Sequence, residues 1–156
     1  MSWLDLHLHS SFSDDGEFPP EELALLCRRA GIRVAALADH NTTRGVPAML
    51  EAGRALGVEV VPAVELDCTH KGVDLHLLGY WIDPAHPGFA RAEKSVLSQE
   101  QSAAERRIEL VRACGIALDR TAVMALSENG AVTGEMLAEV ALAMPENVDN
   151  PLLSPY

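Results

Sequence analysis

Cysteine is scarce in this chain of 156 residues: Cys27, Cys68 and Cys114 are an odd number and form no Cys-x-x-Cys spacing. Neither a disulfide framework nor a thiolate zinc site is expected, and the three read as small core or surface thiols. Basic residues are also few, with 12 Lys and Arg against 23 Asp and Glu and a formal net charge of -11. That balance argues against an extended nucleic-acid surface, although divalent cations held by clustered carboxylates would reverse the field locally. Long apolar runs are missing, since none approaches the roughly 18 residues of a membrane span. The opening Met1-Ser2-Trp3-Leu4-Asp5 lacks the basic head and apolar centre of a secretory signal. A cytoplasmic protein with no membrane partner is expected. Repeats and low-complexity tracts are absent too. What remains is 48% hydrophobic, enough for one domain with a real core.

Trp3 to His9 alternates, with Leu4, Leu6 and Leu8 assigned to one face of a strand and Asp5, His7 and His9 to the other. A polar loop through Gly16 follows, and then Pro19-Pro20 opens a helix over Glu21 to Ala30 that Gly31 stops. Val34 to Ala38 reads as a strand buried on both sides, Val46 to Leu56 as a helix closed by Gly57, and Val58 to Val64 as another buried strand. Val73 to Trp81 is expected to pair with it as a hairpin across Thr69-His70-Lys71-Gly72. This βαβ rhythm predicts a parallel sheet or barrel, with its site at the carboxyl ends of the strands. From Pro87 the pattern turns helical, over Phe89 to Ala113, Thr121 to Ser127 and Thr133 to Ala143. The boundary is expected near Pro84 to Pro87, giving segments 1–85 and 86–156.

His7 and His9 are two apart on a strand, a spacing that lets both imidazoles approach one cation. Alone, the pair reads more simply as two exposed strand histidines. It is not alone: Asp14 and Asp15 lie in the loop that follows, His40 and Glu65 at the ends of the second and third strands, and His76 on the fourth. In a parallel barrel these positions converge on one rim. Nitrogen and carboxylate donors without thiolate suit Mn²⁺, Fe²⁺ or Zn²⁺, and a bridging Glu65 would hold two ions close together.

The runs Asp5-Leu6-His7-Leu8-His9-Ser10, Ser13-Asp14, Ala36-Leu37-Ala38-Asp39-His40-Asn41-Thr42, Pro62-Ala63-Val64-Glu65 and His76-Leu77-Leu78-Gly79-Tyr80 together resemble the PHP (polymerase and histidinol phosphatase) superfamily, in particular its stand-alone phosphoesterases. The resemblance runs from about residue 4 to residue 83. It implies an α/β fold, the first half of a distorted TIM-like (β/α)7 barrel carrying a helical insertion. It implies two or three divalent ions held by His7, His9, Asp14, His40, Glu65 and His76. Hydroxide bound to them would attack phosphorus, with Asp14 and His40 as catalytic residues. Asp39 is expected to orient His40, and Arg44 is a candidate for contacting substrate phosphate.

This chain departs from the family pattern in three places. A single Asp-Gly after Ser13 is replaced by Asp14-Asp15-Gly16, so Asp15 is a further candidate ligand. Where relatives carry a Pro-His dipeptide, this chain reads Val132-Thr133-Gly134-Glu135-Met136-Leu137, which makes Glu135 a candidate substitute. The later family motifs are absent after Pro145, and the missing wall of the barrel is expected from a longer chain or an oligomeric partner.

His70 and His86, outside the motifs, read as solvated loop residues. Asp67 and Cys68 read as a strand-end polar residue and a buried thiol. Arg106, Arg107 and Arg112 read as a solvated helix face with Glu105 and Glu109.

The expected function is a metal-dependent phosphoesterase acting on a small phosphorylated substrate, a nucleotide or the end of a short oligonucleotide, with histidinol phosphate as an alternative. The rival from another class is a catalytically incomplete metal-binding or interaction module. A proofreading-like exonuclease domain is disfavoured by the acidic charge.

Overall fold

Strands and helices alternate from Leu4 onward: β1 (Leu4–Leu8), α1 (Pro20–Ala30), β2 (Val34–Leu37), α2 (Val46–Leu56), β3 (Glu59–His70) and β4 (Val73–Tyr80). The structure, a computed structural model, describes residues 3–127 and 129–153. The strands form one sheet in the order β1-β2-β3-β4, parallel across the first three and antiparallel between β3 and β4.

Local chemistry accounts for both helices. Pro20 starts α1, Glu21 and Glu22 face its positive end, Arg28 and Arg29 its negative end, and Gly31 ends it at φ 81°. Gly57 ends α2 in the same left-handed conformation. Both helices pack on one side of the sheet, where Leu23, Ala24 and Cys27 of α1 and Met49 of α2 meet Ala35 and Leu37. Ala36 and Ala38 point the other way, toward Val61 and Ala63, with Leu6, Leu78 and Tyr80 packed against them. Residues 35 to 38 are all fully buried, so β2 is covered on both faces, as its uninterrupted apolar run predicted.

The Tyr80 hydroxyl, on β4, donates to the carbonyl of Leu6 on β1 at 3.0 Å. In a flat sheet those strands would lie about 14 Å apart, at about 4.8 Å per strand. A tyrosine cannot span that distance, so the sheet curls strongly, and the small side chains of Ala36, Ala38 and Ala63 make room on its concave side. The architecture is the first half of a TIM-like barrel.

Two strands differ from expectation. Leu6 and Leu8 pack against different clusters, because three steps along β1 match two along β2 between Asp5 and Leu8. This bulge breaks the alternation that placed all three leucines on one face. β3 continues past Glu65 to His70 because it outruns β2, whose last partner is Pro62, and pairs onward with β4 alone. The hairpin turns through Lys71 and Gly72 at φ 51° and 77°.

The chain divides into two units, Met1–Glu93 and Lys94–Tyr156, and the division falls inside the long helix α3 (Pro87–Ala113). The second unit contains α4 (Arg120–Leu126) and α5 (Gly134–Ala143), capped by Asp119 and Thr133. Its core is built from Ile108, Leu118, Val123, Val132, Leu137 and Val140. Arg107 and Arg112, expected on a solvated face, instead donate to the carbonyls of Val132 and Leu118, which the loops after the helix leave without helical partners. Among the described residues no helix is long and apolar enough to cross a membrane.

Candidate metal centre

The loop after β1 doubles back on itself. Ser13 N–H donates to Ser10 O at 2.8 Å and Gly16 N–H to Ser13 O at 3.2 Å. A Cβ on Gly16 would lie 1.8 Å from Ser10 O, so only glycine permits this approach. The loop is anchored beneath by Asp39, whose carboxylate accepts from the Ser10 amide at 2.6 Å and the Ser10 hydroxyl at 2.8 Å. Ser10 and Asp39 are fully buried, and burial pushes the Asp39 pKa up although the Ser10 hydrogen bonds oppose it. Asp39 was expected to orient His40. Its carboxylate faces Ser10 instead, and the backbone N–H of His40 is held by Ser13 Oγ at 2.7 Å.

Glu65 is the hub of the site. Its side chain is 3% exposed, and four imidazoles approach it: His7 Nε2 at 2.7 Å, His76 Nδ1 at 2.7 Å, His9 Nε2 at 3.2 Å and His40 Nε2 at 3.6 Å. The β1 bulge does not prevent His7 and His9 from meeting the same carboxylate oxygen. Desolvation works to raise the Glu65 pKa, but hydrogen bonds to His7 and His76 and the nearby imidazoles outweigh it, and the net shift is downward.

Asp15 closes one side, at 3.1 Å from His9 Nδ1 and 3.6 Å from His40 Nε2. Asp67 closes the other, at 2.8 Å from His40 Nδ1 and 3.8 Å from His76 Nε2. Burial lowers the His40 pKa, yet the Asp67 hydrogen bond and the charges of Asp67, Glu65 and Asp15 carry it upward overall.

Three overlapping groups result, His7-His9-Glu65, His9-Asp15-His40 and His40-Asp67-His76, each with one ligand atom per residue and all such atoms within 4.8 Å of one another. A buried carboxylate ringed by four imidazole nitrogens needs positive charge between the donors, as protons or as cations. Nitrogen and oxygen atoms without thiolate fit a divalent transition ion.

Of the expected ligands, the structure brings together His7, His9, His40, Glu65 and His76, with Asp15 from the adjacent loop. Asp14 is not among them: it is exposed and enters none of the three groups, because the turn closed by Gly16 points Asp15 inward. Glu135 lies in the second unit, exposed in the first turn of α5. Its pKa is lowered by a hydrogen bond to its own backbone and by Thr133. Arg44 pairs with Glu93 at 2.8 Å and lies over the Phe12 ring, 5.1 Å from its centroid. His70 and His86 enter no group among the described residues. Asp67 is the member the sequence reading left aside. Its signal was the two-residue spacing from Glu65, which puts both side chains on one face of a strand.

The PHP domain family matches residues 5–142. A 3',5'-nucleoside bisphosphate phosphatase from Chromobacterium violaceum is 31% identical over 79% of this chain and 40% of its own length. A 5'-3' exoribonuclease from Haemophilus influenzae is 32% identical over 66% of this chain and 36% of its own. The solved structure of an amidohydrolase from Chromobacterium violaceum, with bound sulfate and no metal, superposes with a TM-score of 0.71 at 28% identity. That match covers 97% of this chain and 51% of the neighbour. The chain thus spans about half of the structural neighbour and less of the two relatives.

Proposed function

The chain belongs to the PHP domain family, and on that premise we propose that it is a divalent-metal-dependent phosphoesterase that releases phosphate from a small, nucleotide-like ester. The observation that carries this reading is Glu65, a buried carboxylate approached by His7, His9, His40 and His76. Two or three ions, Mn²⁺, Fe²⁺ or Zn²⁺, would be held by those five residues together with Asp15. When bound, they supply Lewis-acid charge to a phosphoryl group and lower the pKa of water.

The protein's own part is to keep the donors fixed. Asp39 anchors the loop that carries Asp15 through Ser10, and Ser13 fixes the backbone at His40. Asp15 and His76 are more than half exposed, which leaves the donors within reach of a substrate from solvent. A nucleotide-like ester is supported by the two relatives, whose names specify a nucleoside bisphosphate and RNA.

The test is phosphate release by the Mn²⁺-supplied chain from nucleoside 3',5'-bisphosphates, nucleoside monophosphates, a 5'-phosphorylated dinucleotide and histidinol phosphate. Release from a nucleotide is expected, with Glu65→Gln lowering kcat/KM by at least about 100-fold. No release from any of them overturns the hydrolytic reading. Retained ions without turnover select the metal-binding module instead.

A further inference from the structure

The His40 ring is held by a chain of hydrogen bonds through Asp67 and Asn41, two residues that lie outside the expected ligand set. Its ring Nδ1 is 2.8 Å from Asp67 Oδ1. The other carboxylate oxygen of Asp67 accepts from Asn41 Nδ2 at 2.7 Å, and the Asp67 amide donates to Asn41 Oδ1 at 3.0 Å. The Asn41 amide donates to Glu65 O at 2.7 Å. Asn41 adopts φ 57°, a left-handed conformation that asparagine tolerates better than other residues with a Cβ. That backbone turn lets its side-chain amide lie beside residue 67 and continue, through a side chain, the pairing between β2 and β3 that ends in the His40–Glu65 bridge.

We propose that Asp67 and Asn41 are positioning residues that fix the His40 imidazole as its Nδ1–H tautomer and so present the bare Nε2 to the metal centre. Two observations separate this role from that of a further ligand. Both oxygens of Asp67 are engaged by His40 and Asn41, whereas its contact with His76 is longer, at 3.8 Å. His40 Nε2 faces Asp15 and Glu65, each at 3.6 Å. A proton on that nitrogen would remove the lone pair a cation needs, while a carboxylate accepting from Nδ1–H directs the proton to the far side of the ring and makes Nε2 more basic. The inference rests on the metal-centre reading for its purpose, but not for its test.

The test uses the whole chain, first without metal. Long-range ¹⁵N–¹H spectra of the His40 ring in alkaline buffer report which nitrogen carries the proton. The expected result is Nδ1–H in the wild-type protein, a shift toward Nε2–H in Asp67→Ala, and retention of Nδ1–H in Asp67→Asn, whose amide oxygen still accepts. Asn41→Gly keeps the left-handed backbone and removes both side-chain bonds, and a smaller shift in the same direction is expected. Mn²⁺ affinity, read by calorimetry, falls about 10- to 100-fold in Asp67→Ala and less in Asp67→Asn.

Nε2–H in the wild-type protein overturns the proposal, as does an unchanged tautomer in folded Asp67→Ala. If Asp67→Ala does not fold, Asn41→Gly decides, and an unaltered tautomer and affinity there overturn it. Asp67→Asn losing as much Mn²⁺ affinity as Asp67→Ala with Nδ1–H intact marks Asp67 as a ligand, which also overturns it. A tautomer shift without phosphate release from any substrate sinks the hydrolytic reading and leaves this one standing.

Discussion

Asp39 shows how much a single buried carboxylate does for the site without touching its donor atoms. It accepts two hydrogen bonds from Ser10, in a place where neither residue meets solvent. Asp39→Ala would leave the Ser10 amide and hydroxyl without partners, and a loss of about 3 kcal/mol is expected in urea denaturation. Asp39→Asn retains an acceptor for the amide and should lose less. The pH dependence of that smaller loss has a definite sign. Since burial raises the Asp39 pKa, the folded protein holds this proton more readily than the unfolded chain. The stability Asp39 contributes therefore declines as pH rises from the ordinary carboxylate range, near about 3.9, through the raised value. Denaturation of wild type and Asp39→Asn across the acid range should show the penalty largest at the acid end and shrinking toward neutrality. A penalty that grows with pH contradicts the assignment.

Elements, in turn, decide which side chains meet. The loop between β1 and α1 reaches the histidines because Gly16 lies against the Ser10 carbonyl. Gly16→Ala places a methyl where backbone cannot yield, so a loss of about 2 kcal/mol or more is expected in denaturation. Asp15 would move off His9 and His40, and a weakened Mn²⁺ affinity checks that displacement. The β3–β4 hairpin offers the opposite case. Lys71 occupies φ 51° ahead of Gly72 at φ 77°, a two-residue turn that favours Asn-Gly. Lys71→Asn should stabilise the hairpin by about 0.5 kcal/mol, seen as a higher melting temperature. An unchanged or lower one would show that Lys71 is not strained there.

At the scale of the molecule, the three donor groups belong to one unit. All their residues lie between His7 and His76, within Met1–Glu93, while the cluster around Ile108 and Val123 belongs to Lys94–Tyr156. Ile108 is 1% exposed, and Ile108→Ala should cost about 3 kcal/mol through lost burial and an unfilled cavity. Below the melting transition, Mn²⁺ retained per chain, read by elemental mass spectrometry, should match wild type. Parallel loss of metal would show that the two units unfold as one.

Periodicity and punctuation made most elements legible in advance. The apolar run of β2, the Pro-to-Gly span of α1 and the interval closed by Gly57 are local signals, and local signals survive in a linear sequence. So did the donor types, because a His-x-His pair on a strand and polar residues at strand ends constrain the chemistry before any contact is known. Tertiary structure alone decided the rest. Which of Asp14 and Asp15 turns inward depends on how closely Gly16 packs on Ser10, a contact between backbones that residue spacing does not encode. That Asp39 serves Ser10 while Asp67 serves His40 depends on where β2 ends against β3. The β1 bulge is a property of strand pairing, so it is visible only once both strands are in place. Residue types and local order are written along the chain; the partner of each buried charge is set by which distant backbone it is folded against.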